Sequence, residues 1–100
     1  MDKTRQSIVA FGAHPDDIEI GMGGTVAKLA RSGYDVHLVI ATLPNFTNID
    51  TKEQRRLEAI TSAKVMGVSS PEFLDLSPDE ITFGRKFVGL LDGIITKYRP

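Results

Sequence analysis

The chain has 100 residues, 41% apolar and 25% charged, with a formal net charge of −1 and no cysteine. That composition describes one soluble globular unit or a piece of a larger one, and it excludes disulfides and thiolate metal sites, so any metal must be held by His, Asp, Glu and water. The interspersed charges leave no basic stripe for nucleic acid and no polybasic segment for lipid, and no run forms a signal-peptide core or approaches the roughly 18 apolar residues of a membrane helix. A cytoplasmic protein is the expectation.

In chain order, "SIVAFGA" (residues 7–13) is a short, nearly continuous apolar run ended by Gly and Pro, the pattern of a strand covered on both faces. From about residue 22 to 32, "MGGTVAKLARS" sets Met22, Val26, Leu29 and Ala30 on one stripe, with basic residues in the last turns and Gly33 as a stop, which predicts a helix. "VHLVIAT" (36–42) is a second β-branched run, and Pro44 and Asn45 after it are turn residues. Asp50 and Glu53 have the spacing of a capping box for a helix to about Met66, with Ala59, Ile60, Ala63 and Met66 inward and Gly67 closing it. "EFLDL" (72–76) reads as a short strand. "FGRKFVGLLDGIITKY" (83–98) repeats Phe83, Phe87, Leu90, Leu91, Ile94, Ile95 and Tyr98 at helical spacing, and Gly89 and Gly93 suit close packing on a sheet. Strand and helix alternating three times predict an α/β fold of the three-layer, Rossmann-like kind, a parallel sheet with helices on both faces. Ligands in such folds sit beyond the carboxyl ends of the strands, where "AHPDDIE" and "TLPNF" both emerge.

The first of these loops carries the chemistry. His14 offers a neutral imidazole and Asp17 a hard oxygen, a pair suited to Zn²⁺ or another divalent ion, while Pro15 stiffens the turn between them. Asp16 and Asp17 leave a turning backbone in different directions, so one can bind metal while its neighbour takes a proton from water; spacing alone does not say which does which. Glu19 and the amides of "GMGGT" lie at or just before a helix N-terminus, a place for an anion or a polarised oxygen. The bland alternative is that the aspartates merely cap a helix and the histidine is merely solvated.

Beyond these residue-level readings, "AHPDDIEIGMGGTVAKLARSGYDVHLVIAT" strongly resembles the opening of the LmbE-like, or PIG-L-type, deacetylases. The likeness continues through "RRLEAITSAKVMGV" and "EFLDL". It implies a Rossmann-like zinc enzyme that removes an acyl group, most often acetyl, from the amine of an N-acetylglucosamine-type sugar. Carried over, His14 and Asp17 are zinc ligands, Asp16 is the general base and Arg55 contacts substrate; the bland reading of Arg55 is an ion pair with Glu58 one turn on. The family's third ligand is a histidine in a later motif that this stretch does not contain. His37 falls near the start of the second strand, remote from the loop, and reads as a core or edge residue. Residues 1–100 are therefore expected to be the amino-terminal portion of one deacetylase domain. In "TLPNFTN" the chain also departs from the family's "T-x-G" turn, which leaves the substrate preference open.

Two readings of other classes stand beside this one. A non-catalytic or truncated α/β domain would associate with another copy through its uncovered sheet edge and helix faces. A dinucleotide-binding module would require G-x-G-x-x-G directly after the first strand, and Gly21-Met22-Gly23-Gly24-Thr25-Val26 lacks the third glycine and comes too late.

Overall fold

The structure, a computed structural model, describes residues 6–43, 51–77, 80 and 84–100, with the side chains of residues 15, 16, 19, 51 and 52 outside the description. Its elements are β1 (Ser7–Gly12), α1 (Pro15–Arg31), β2 (Asp35–Ile40), α2 (Thr51–Met66), β3 (Glu72–Phe73) and α3 (Arg85–Tyr98). The strands form one parallel sheet in the order β1-β2-β3. Ser7 lies opposite Asp35 and Gly12 opposite Ile40, while Val39 and Ile40 face Glu72 and Phe73.

The two-residue alternation of strand side chains divides the sheet into two faces. Ile8 and Ala10 of β1, Val36, Leu38 and Ile40 of β2, and Phe73 of β3 pack with Ile18, Val26 and Leu29 of α1 and with Ala59, Ala63 and Met66 of α2. Fully burying a side chain such as Val26 contributes about 1.5–3 kcal/mol, so this layer supplies much of the driving force. The intervening strand residues meet α3. His37 stacks on the Tyr98 ring with centroids 4.2 Å apart, and one oxygen of Glu72 accepts from the Tyr98 hydroxyl at 2.5 Å and the Lys97 ammonium at 3.0 Å. Helices thus cover both faces, as the alternation predicts.

Both glycine stops act through backbone conformation. Gly33 and Gly67 have φ of +96° and +83°, and the residue after each returns an N–H to the helix: Tyr34 to the Leu29 carbonyl at 3.1 Å, Val68 to that of Ala63 at 3.0 Å. Tyr34 and Val68 then pack against the core, which completes a Schellman-type termination at each helix.

Four expectations need correction or narrowing. Helix α1 begins at Pro15 rather than near Met22, because His14 and Asp17 cap an earlier first turn; Met22, at φ −154° and ψ 26°, then breaks the helix where the expected one begins. Strand β3 stops at Phe73, since Asp75 turns the backbone to φ 57°, although Leu74 and Leu76 still donate to the Ile40 and Ala41 carbonyls at 2.9 Å. In α3, Ile94 is buried and Phe87, Leu90, Leu91 and Tyr98 are half-buried, but Ile95 is 58% exposed. Gly89 and Gly93 face open space and make no close approach to the sheet. The expected roles of Asp50 and Phe83 lie outside the described residues.

Glu80 joins Ser77 to the first turn of α3. Glu80 accepts from the Ser77 N–H at 2.8 Å, from its hydroxyl at 3.0 Å and from Lys86 Nζ at 2.9 Å. These bonds, the backbone one first, hold the Glu80 carboxyl down at about 2. A carboxyl more acidic in the folded chain than in the unfolded one stabilises the fold above the ordinary glutamate range, and the contribution is lost as pH falls through about 2. Acid titration followed by circular dichroism should therefore show a loss of stability from about pH 4.5 downward, and Glu80→Gln should lessen that slope while lowering stability at neutral pH. At the other end of α3, the Tyr98 hydroxyl, ahead of Lys97, holds Glu72 below the usual carboxylate range. Tyr98→Phe keeps the ring on His37 and should cost about 1 kcal/mol in urea unfolding, the worth of one hydrogen bond.

Candidate functional site

The carboxyl edge of the sheet is built by two chain segments leaving it side by side. Pairing between β1 and β2 does not end with the strands: Ala41 N–H donates to the Gly12 carbonyl and Thr42 N–H to that of Ala13, both at 2.9 Å. Thr42, which is buried, also donates its hydroxyl to the Ala13 carbonyl at 2.8 Å. Gly12 is required where α1 folds back over the strand end, because a Cβ there would come within 2.9 Å of Ile18 and 3.3 Å of the His14 carbonyl. His14 is the next residue but one, and it leaves the sheet in an extended conformation, φ −127° and ψ 163°, as the N-cap of α1.

From that position His14 and Asp17 meet. The His14 N–H donates to Asp17 Oδ2 at 2.8 Å, and the Asp17 N–H returns a bond to the His14 carbonyl at 3.2 Å. The imidazole is turned to the same carboxylate, with Nδ1 3.5 Å from Oδ2 and both side chains half-exposed. Asp17 is therefore a helix cap, as the bland reading has it. Capping uses one of the about four lone-pair sites of a carboxylate and leaves the others for a cation. Two donors bound to one tetrahedral zinc at its usual bond lengths lie about 3.3–3.5 Å apart, so the observed separation fits a shared divalent ion open to solvent.

The other nominated residues are distributed around this pair. Asp16 and Glu19 lie in the first turns of α1, and the expectations for their side chains fall outside the description. Arg55 is engaged on its own helix, donating to Glu58 at 2.7 Å, and it holds the Glu58 carboxyl below its ordinary range. His37 sits within β2 against Asp35 and Tyr98, consistent with its reading as a structural residue. Among the described residues, no group of three or more His, Asp or Glu side chains converges as a metal-holding set. Gly21, Gly23 and Gly24 lie inside α1 on either side of the Met22 break, not in a turn directly after β1. The residue chemistry does not mark Thr42; its one signal in the sequence is a hydroxyl ending an otherwise apolar run.

Comparison with known proteins places this loop in context. The family model described as PIG-L, GlcNAc-PI de-N-acetylase, matches residues 9–100. A diacetylchitobiose deacetylase of Thermococcus kodakarensis is 32% identical over 95% of this chain and 38% of its own length. The structure of an N,N′-diacetylchitobiose deacetylase from Pyrococcus horikoshii superposes with a TM-score of 0.80 at 29% identity, over 92% of this chain and 37% of that one. A 4-carboxy-2-hydroxymuconate hydratase from Pseudomonas putida KT2440 also superposes at 0.80, with 25% identity over 95% of this chain and 44% of its own. The chain thus spans less than half the length of these relatives. With the family pattern matched across nearly all of its residues, from the first strand through the last helix, the chain belongs to the PIG-L (LmbE-like) deacetylase family.

Proposed function

We propose that these residues form the metal-binding loop of a cytoplasmic, zinc-dependent deacetylase acting on the N-acetyl group of an N-acetylglucosamine-type sugar. The observation that carries the proposal is the convergence of His14 and Asp17 at 3.5 Å on the carboxyl edge of the sheet, in a chain whose family and relatives bear deacetylase names. When bound, zinc or a similar divalent ion supplies a Lewis acid for the amide carbonyl and lowers the pKa of an attacking water. His14 would hold it through the neutral imidazole and Asp17 through its carboxylate. The third protein ligand would come from outside residues 1–100, in the part of the domain that the relatives have and this stretch does not span.

Asp16 acts as the base in this proposal. Its carboxylate takes a proton from the attacking water, and a general acid, either Asp16 itself or a later histidine, delivers a proton to the sugar nitrogen as the amide C–N bond breaks, so acetate and free amine leave together. Arg55 would turn from Glu58 to the substrate, an exchange that costs little because exposed ion pairs are weak. A second reading, self-association of a non-catalytic domain, is favoured by one observation: β1 pairs only with β2 among the described residues, and Phe11 near its end is 41% exposed.

The test combines metal counting, size and turnover. In the protein extended through the rest of the domain, which supplies the third ligand, elemental analysis after dialysis should find zinc, and His14→Ala or Asp17→Ala should reduce it at least tenfold; unchanged stoichiometry would remove them as ligands. Asp16→Asn should retain the metal and lower acetate release from N,N′-diacetylchitobiose by about a hundredfold or more. An equally active Asn variant would refute the base assignment. A zinc-free dimer on size-exclusion chromatography would favour the second reading, and zinc-dependent hydration without acetate release would move the chain towards the hydratase.

A further inference from the structure

One peptide unit at the sheet edge is held at both ends. The Ala13 carbonyl and the His14 N–H belong to the same planar peptide. Its oxygen accepts two donors from Thr42, the backbone N–H at 2.9 Å and the hydroxyl at 2.8 Å. Its N–H donates to Asp17 Oδ2 at 2.8 Å. The same Oδ2 faces His14 Nδ1 at 3.5 Å. Rotation of this plane would therefore swing the N–H that orients the Asp17 carboxylate and change where the His14 Cα directs its imidazole.

We propose that the Thr42 hydroxyl is a positioning residue for the His14–Asp17 pair, acting through the Ala13–His14 peptide. The proposal rests on the metal-site reading of that pair for its functional meaning, but the coupling itself is a property of the fold. Three observations bear on it. Thr42 is 4% exposed, so its side chain is withdrawn from water, and its bond to the exposed Ala13 is part-buried. The backbone bond alone would continue the ladder, and the hydroxyl adds a second donor on the same oxygen, which an apolar residue of equal size could not. Hydrogen bonds at opposite ends of an amide also polarise it cooperatively, so donation to the carbonyl strengthens the N–H bond to Asp17. Thr42 lies 29 residues from Ala13 in sequence, which makes the segment just after β2 a template for the loop after β1. Partners that orient metal ligands in this indirect way typically alter affinity by 10–100-fold when lost.

Two variants separate positioning from packing. Thr42→Val keeps volume and branching but removes the donor; Thr42→Ser keeps the donor and removes a methyl group. Amide hydrogen exchange read by NMR should show the His14 amide exchanging about fivefold faster in Thr42→Val, the worth of one ordinary hydrogen bond, with the β2 amides unchanged and with Thr42→Ser close to wild type. In the protein extended through the rest of the domain, zinc affinity by calorimetry should fall about tenfold in the Val variant and recover in the Ser variant. An unchanged His14 amide in Thr42→Val, equal zinc affinity in the two variants, or a uniform rise in exchange across β2 would overturn the proposal. If the protein extended through the rest of the domain takes up no zinc while its His14 amide still responds selectively to Thr42→Val, the coupling stands and the metal reading falls.

Discussion

The parallel pairing of β1 with β2, carried past the ends of both strands, is the constraint on which this molecule depends. Gly12 and Ala13 are held by Ala41 and Thr42 after the regular ladder is complete, so the point at which the chain leaves the sheet is fixed by donors from a distant segment. A loop released one residue earlier would put His14 elsewhere, since successive residues of an extended chain point to opposite sides. The position of the imidazole is thus decided in the sheet before the loop makes any choice of its own.

Packing and chemistry meet at the first turn of α1. Ile18 is 4% exposed and closes over Gly12, so the helix is drawn onto the strand end by apolar burial. One turn of helix then separates the capping residue from the third helical position, which puts Asp17 back over His14. A carboxylate there is favoured by the free N–H groups of the helix start. The same geometry that satisfies a backbone donor also gathers two metal-compatible groups. Capping and metal binding are therefore not competing explanations of Asp17, because the first sets the orientation that the second would use.

Much of this was legible in the sequence because it rested on local rules. The apolar runs, the helical stripe of Ala59, Ala63 and Met66, and the glycines that end α1 and α2 each report a backbone preference that the fold does not override. What escaped were features set by partners distant in sequence or by competition between neighbours. The early start of α1 depends on reciprocal bonds between His14 and Asp17, in a stretch whose glycines read as a loop. The shortness of β3 depends on the turn at Asp75, and the open surroundings of Gly89 and Gly93 depend on which side of α3 meets the sheet. Residue chemistry could nominate Arg55 and Glu58 as an ion pair, but could not choose between that pair and a substrate.

Of the site itself, the residue types were readable and the support beneath them was not. "AHPDD" draws attention because an imidazole and two carboxylates stand together just past a strand end. Threonine at the end of a β-branched run advertises nothing, since its methyl group and branching suit a strand on their own. Only the fold shows that the hydroxyl of Thr42 is turned to the peptide before His14. The distinction is general in physical terms: a ligand must be a particular chemical group, whereas its support need only present a donor at the right place. The identity of a supporting residue is therefore less constrained by type than by the chain path that brings it there, and this chain path is the extended β1–β2 ladder.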